Sequence, residues 1–165
     1  MQAVSISPCK RYVAAVDLSN DHKVYVQNIE RDAQLLVIDG SKDKILDVQW
    51  SKKLDDLRFA TVGLKELKFW HPSDVTRRLC QKGTFQKAAM TNTLCVAFDE
   101  EGWCYSGGEN GLIQVWNEQC TVVKTIKCHA SSVTSITIED NKLVSGSKDG
   151  KVAIISVGAG AFKLE

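Results

Sequence analysis

A unit of about 43 residues recurs along this chain, and a recurrence of that length leaves few folds open. Gly146-Ser147-Lys148-Asp149-Gly150-Lys151-Val152-Ala153-Ile154-Ile155 aligns with Gly107-Gly108-Glu109-Asn110-Gly111-Leu112-Ile113-Gln114-Val115-Trp116. Each stretch reads as a strand end, a tight Asp-Gly or Asn-Gly turn, and an alternating strand. Those dipeptides suit hairpins because the turn residues need positive φ. Val62 to Trp70 is a shorter copy without the turn Asp, and Asp21 to Gln27 is the weakest copy. The equivalent end positions Gln27, Trp70, Trp116 and Ile155 lie 43, 46 and 39 residues apart. Four strands every 40–45 residues is the signature of a propeller blade.

The rest of the sequence agrees. Short runs rich in β-branched and aromatic residues, bounded by Gly, Asn and Asp, extend from Ala3 to Ile155. No long segment has helical periodicity; a short helix near Phe85 to Met90 is the one candidate. The expected fold is all-β, a propeller segment of about four four-stranded antiparallel blades. The blades are expected at about 3–39, 40–82, 83–127 and 128–157, with 158–165 as a tail or the start of a further strand. A chain of 165 residues is just under four such units, so the expectation is an incomplete, open propeller with exposed strand edges.

Composition narrows the function. Lys plus Arg is 21 against 20 for Asp plus Glu, which gives no support to nucleic-acid binding through bulk charge. No apolar run approaches a membrane span, and no signal peptide is visible. The six cysteines include no Cys-x-x-Cys pair, and His22, His71 and His129 are scattered. Reduced thiols are therefore expected rather than disulfides or zinc, and no metal or cofactor.

The fourth unit resembles a WD40 repeat. That family holds each blade with a hydrogen-bonded tetrad of His, Ser or Thr, Asp and Trp. The resemblance carries the tetrad to His129, Ser145 and Asp149, with Ile155 at the Trp position. In the third unit it implies Ser106 and Trp116, with Asn110 for Asp; in the second, Thr61 and Trp70, with Ser41 where His is usual. Every tetrad is thus degenerate. Several segments are also similar to the echinoderm microtubule-associated protein-like (EML) family, whose propellers are built from imperfect WD repeats. They include Leu67-Lys68-Phe69-Trp70-His71, Leu94-Cys95-Val96-Ala97-Phe98, Gly102-Trp103-Cys104-Tyr105-Ser106-Gly107 and Lys148-Asp149-Gly150. This resemblance implies a non-catalytic cytoskeletal scaffold in the cytoplasm that binds tubulin or microtubules. The alternative is a general WD-repeat scaffold with another protein or peptide partner.

Ser145, His129 and Asp149 also suggest a Ser–His–Asp triad, but no Gly-x-Ser-x-Gly elbow occurs, and a nucleophile must be exposed beside an oxyanion hole. Candidate partner contacts are Lys42, Lys44, Lys65 and Lys87, as loop cations suited to an acidic partner, and Trp103 as an aromatic anchor. Lys52, Lys53, Arg77, Arg78 and Lys82 are further loop cations. Interleaved Asp43, Asp47, Asp55 and Asp56 make a solvated mixed-charge surface the simpler reading for any single lysine.

Overall fold

The computed structural model describes residues 1–72, 79–88, 90–158 and 161–164. Among the described residues, sixteen strands form four antiparallel sheets, each of four consecutive strands. Blade 1 is β1 (Ala3–Ile6), β2 (Tyr12–Val16), β3 (Lys23–Asn28) and β4 (Ala33–Asp39). Blade 2 is β5 (Ile45–Trp50), β6 (Phe59–Gly63), β7 (Glu66–Trp70) and β8 (Cys80–Lys82). Blade 3 is β9 (Thr93–Phe98), β10 (Cys104–Gly108), β11 (Leu112–Trp116) and β12 (Val122–Lys127). Blade 4 is β13 (Val133–Glu139), β14 (Lys142–Ser147), β15 (Val152–Gly158) and β16 (Ala161–Leu164). The last strand pairs Ile155 with Leu164 and Gly158 with Ala161, so blade 4 also has four strands.

Among the described residues there is no α-helix. The segment expected to be helical is a turn, closed by the Ala88 N–H on the Phe85 carbonyl at 2.8 Å. Gln86 takes φ 49°, outside the helical region. The Asp-Gly and Asn-Gly hairpins also differ from the expected form. Only Gly111 and Gly150 carry positive φ (78° and 77°), and each donates its N–H back to the residue three positions earlier. That is a type I turn followed by a left-handed glycine. Asn110 and Asp149 instead use their side chains, accepting the Leu112 and Lys151 N–H groups at 3.2 and 2.9 Å.

The blades pack face to face, and each junction has its own apolar core. Val24, Val26, Val48, Trp50, Phe59 and Trp70 fill the first junction. Leu67, Phe69, Val96, Phe98, Cys104 and Trp116 fill the second. Ile113, Val115, Val133, Ile138, Leu143 and Ile155 fill the third. The alternation of the third strands explains this: Leu67 and Phe69 face one neighbour, and Trp70 faces the other. Each side chain fully buried in this way is worth about 1.5–3 kcal/mol.

Polar bonds fix the angle between blades. Trp50 Nε1 donates to the Ser5 carbonyl at 3.1 Å. Asp47 Oδ2 accepts the Val96 N–H at 3.0 Å while Oδ1 accepts the Val48 N–H at 2.8 Å. Burial outweighs these bonds and pushes the Asp47 carboxyl up to about 6, from 3.8. The folded chain therefore binds more protons than the unfolded chain between those values. The stability contributed by Asp47 is present below about pH 4 and falls as pH rises towards 6, by at most about 3 kcal/mol. Relative to Asp47→Asn, the wild type is expected to lose melting temperature from pH 4 to pH 7; a constant difference across that range contradicts the assignment.

The first strand of each blade lines a central cavity of about 770 Å³, bounded by residues including Ile6, Lys10, Gln49, Lys52, Phe98 and Thr137. β1 packs on β5, β5 on β9, and β9 on β13. Among the described residues β13 makes no comparable packing on β1. The propeller is open.

Candidate functional site

Strand direction alternates within a blade, so loops after odd-numbered strands lie on one rim and loops after even-numbered strands on the other. This sorts the candidate residues. Lys42 and Lys44 lie between β4 and β5, Lys65 between β6 and β7, and Lys87 between β8 and β9. All four are exposed and fall on the even rim. Exposed Lys148, between β14 and β15, joins them. None of the five has an ion pair among the described residues. Trp103 lies on the odd rim, half-buried against the core between blades 3 and 4. Arg77 and Arg78 lie outside the described residues.

The two rims differ in charge. On the even rim several carboxylates are already engaged. Asp17 accepts from Ser19, the Lys23 N–H and Tyr25. Glu66 accepts from Ser41 and pairs with Lys68 and Lys82, both at 3.0 Å. Ser41 foremost, then these lysines, hold the Glu66 carboxyl below its usual range despite burial. The odd rim carries exposed Glu100, Glu101, Glu118 and Asp140, and the loop cations Lys52 and Lys53 between β5 and β6 are paired there with Glu139 at 3.2 Å and Glu118 at 3.1 Å.

His129, Ser145 and Asp149 lie towards the even end of blade 4, and Trp70 and Trp116 close β7 and β11 at the odd end. His129 Nε2 meets Ser145 Oγ at 2.9 Å and Nδ1 meets Asp149 Oδ2 at 3.3 Å. The tautomer that satisfies both carries its proton on Nδ1, so His129 donates to Asp149 and accepts from Ser145. The Ala130 N–H, at 2.9 Å, is the foremost group holding the Asp149 carboxyl below its usual range. In blade 3, Trp116 Nε1 donates to Ser106 Oγ at 2.8 Å; in blade 2, Trp70 Nε1 donates to Thr61 Oγ1 at 2.9 Å. Blade 4 thus keeps the His half of the network and blades 2 and 3 keep the Trp half. Asn110 caps its own turn. The Ser145–His129–Asp149 order is that of a hydrolase triad, but Ser145 has no exposed surface. A hydroxyl without access cannot meet a substrate. Among the described residues, no group of three His, Cys, Asp or Glu is placed to hold a metal.

The comparisons follow this geometry. A family described as the IP5P C-F beta-propeller matches residues 21–162. The chain belongs to that family. It is also an EML-like WD-repeat propeller region. It is 35% identical over 155 residues to the ciliary WD repeat-containing protein ctxp80 of Euplotoides octocarinatus, covering 92% of this chain and 21% of that protein. It is 26% identical over 148 residues to the 77 kDa echinoderm microtubule-associated protein of Strongylocentrotus purpuratus, covering 87% and 21%. The chain therefore spans about a fifth of the length of these relatives. The β-propeller domain of Myceliophteria thermophila Cps50 (Swd1) superposes with a TM-score of 0.82 at 11% identity, covering 99% of this chain and 58% of that one. The computationally designed Ika8 protein gives 0.74 at 24% identity, covering 98% and 47%. A β-propeller of this family is a scaffold suited to protein partners.

The residue that sequence reasoning missed in this propeller is Arg58. It is 1% exposed, with its guanidinium 5.6 Å from the ring centroids of both Phe69 and Phe98. One terminal nitrogen donates to the Gly102 carbonyl at 2.6 Å and the other lies 3.5 Å from the Glu118 carbonyl. Asp56 supplies the countercharge at 3.1 Å. Blade 2 is therefore clamped to two loops of blade 3. In the sequence Arg58 follows Lys52, Lys53, Asp55 and Asp56 and reads as one more loop charge. Only its place directly before the apolar run Phe59-Ala60-Thr61-Val62 hinted at burial.

Proposed function

We propose that the chain is a non-catalytic protein-interaction scaffold that binds microtubules in the cytoplasm, with the even rim contacting the acidic tails of tubulin. The observation that carries this reading is the gathering of exposed Lys42, Lys44, Lys65, Lys87 and Lys148 on one rim, none with an ion pair among the described residues. An extended acidic segment is attracted by such a row through charge without a deep pocket, and salt weakens that attraction. The relatives' names agree: one is a microtubule-associated protein and another is a ciliary protein. The scaffold reading, without an enzyme, rests on the buried Ser145 and on a His129 whose two nitrogens are both occupied by structural partners.

The test is co-sedimentation with polymerised tubulin at two salt concentrations. The chain is expected to pellet with microtubules at low salt and to release as salt rises from about 50 to 200 mM, as screening shortens the reach of the lysines. Absence of pelleting at low salt overturns the tubulin reading and leaves a scaffold for another protein partner.

A further inference from the structure

The strand registers make positions equivalent from blade to blade, and the exposed ends of the arc can be compared with its covered interior. Val4 and Ile6 of β1 occupy the places of Val48 and Trp50 in β5 and of Val96 and Phe98 in β9. Those four are at most 3% exposed, whereas Val4 and Ile6 are each 58% exposed. At the other end, Val152 and Ile154 of β15 occupy the places of Leu67 and Phe69 in β7 and of Ile113 and Val115 in β11. Those are at most 1% exposed, whereas Val152 and Ile154 are 67% and 40% exposed.

Polar side chains also bridge neighbouring first strands, at positions that differ from junction to junction. Ser5 Oγ of blade 1 accepts the Trp50 N–H at 3.2 Å, and Asp47 of blade 2 accepts the Val96 N–H. The first two junctions thus each join a side-chain acceptor on one first strand to an N–H of the next, and at the third the Cys95 Sγ–H donates to the Val133 carbonyl at 3.7 Å. In blade 4 the corresponding stretch of β13 holds Ser135 and Thr137, both exposed.

We propose that the chain pairs head to tail with a second copy of itself. The face of blade 4 bearing Val152 and Ile154 docks on the face of blade 1 bearing Val4 and Ile6, twice, and closes one ring. The occupant is a second copy because the two bare faces are the two halves of one interface that the arc already forms three times. Any copy carries both halves. Contacts between unlike faces close into a ring when the rotation per unit allows it and otherwise grow into filaments. The Ika8 chain accommodates this four-blade arrangement within 47% of its own length, which leaves room in one folded molecule for a second arc of equal size.

Light scattering of the chain at about 100 µM, far above the Kd of a specific interface, tests this with two variants. Ile6 and Val152 are both exposed in the single chain, so Ile6→Glu and Val152→Glu leave its fold and far-UV circular dichroism spectrum intact. The wild type is expected at twice the chain mass, and each variant alone at the single-chain mass. Mixing the variants is expected to restore a dimer, because Ile6→Glu keeps a good blade 4 face and Val152→Glu keeps a good blade 1 face. That dimer has one junction instead of two and dissociates at higher concentration than the wild type. A monomeric wild type, variants that remain dimeric, a mixture that stays monomeric, or growth into filaments each overturns the proposal.

Discussion

Arg58→Ala is expected to lower the unfolding free energy by about 3–5 kcal/mol, the range for breaking a buried charge pair from one side. Three losses combine. The carboxylate of Asp56 loses its countercharge at 3.1 Å, the Gly102 carbonyl loses a 2.6 Å donor, and the space between Phe69 and Phe98 empties. Total stability of a domain is only about 5–15 kcal/mol, so this one side chain decides whether blades 2 and 3 stay docked. Arg58→Lys keeps the charge but reaches fewer acceptors, because an ammonium lacks the planar fork. Its loss is expected to be smaller than that of alanine. Urea unfolding of both variants checks this; an alanine variant within about 1 kcal/mol of wild type contradicts the clamp.

Trp116→Ala is expected to cost a similar amount, about 3–5 kcal/mol, for a different reason. Trp116 has no exposed surface and sits edge-on to Phe85 at 4.9 Å and to Phe69 at 6.0 Å. Its removal opens a cavity at the junction of blades 2 and 3 and strips the buried Ser106 hydroxyl of its partner. The surroundings have little freedom to collapse: a Cβ on Gly83 would already lie 2.6 Å from the indole ring. Trp116→Phe keeps most of the packing and isolates the hydrogen bond, with an expected loss of about 1–3 kcal/mol. A phenylalanine variant as unstable as the alanine variant would show that the bond to Ser106, rather than packing, carries the effect.

How far the sequence speaks depends on whether a feature is periodic. The blades were legible because the period recurs, and because Asn-Gly or Asp-Gly marks the turn in the last two units and a terminal Trp closes the third strand in the middle two. The pairing of Trp70 with Thr61 and of Trp116 with Ser106 is what the resemblance to WD40 repeats implies. What the alignment could not carry was anything made once. Arg58 acts at one junction only, and its burial depends on Phe69 and Phe98, which lie 11 and 40 positions away. Asp47 reads as a loop-like charge beside Asp43, yet a register shift between Ile45 and Asp47 turns it towards the Val96 amide. The glycine-only positive φ of the hairpins was also hidden, because Asp-Gly suits more than one turn and the choice rests on where the aspartate side chain bonds. The sorting of the lysines onto one rim required only the alternation of strand direction, once the strands were known.

On the proposed function, this propeller binds its partner through one rim, by charge. Reversing Lys42, Lys44, Lys65 and Lys87 together to Glu touches no buried group and leaves the melting curve of the chain in place. Co-sedimentation of that variant with microtubules at low salt, beside the wild type and Trp103→Ala, is the direct measurement. The four-lysine variant is expected to stay in the supernatant while Trp103→Ala pellets with the wild type. Undiminished pelleting of the four-lysine variant would contradict it.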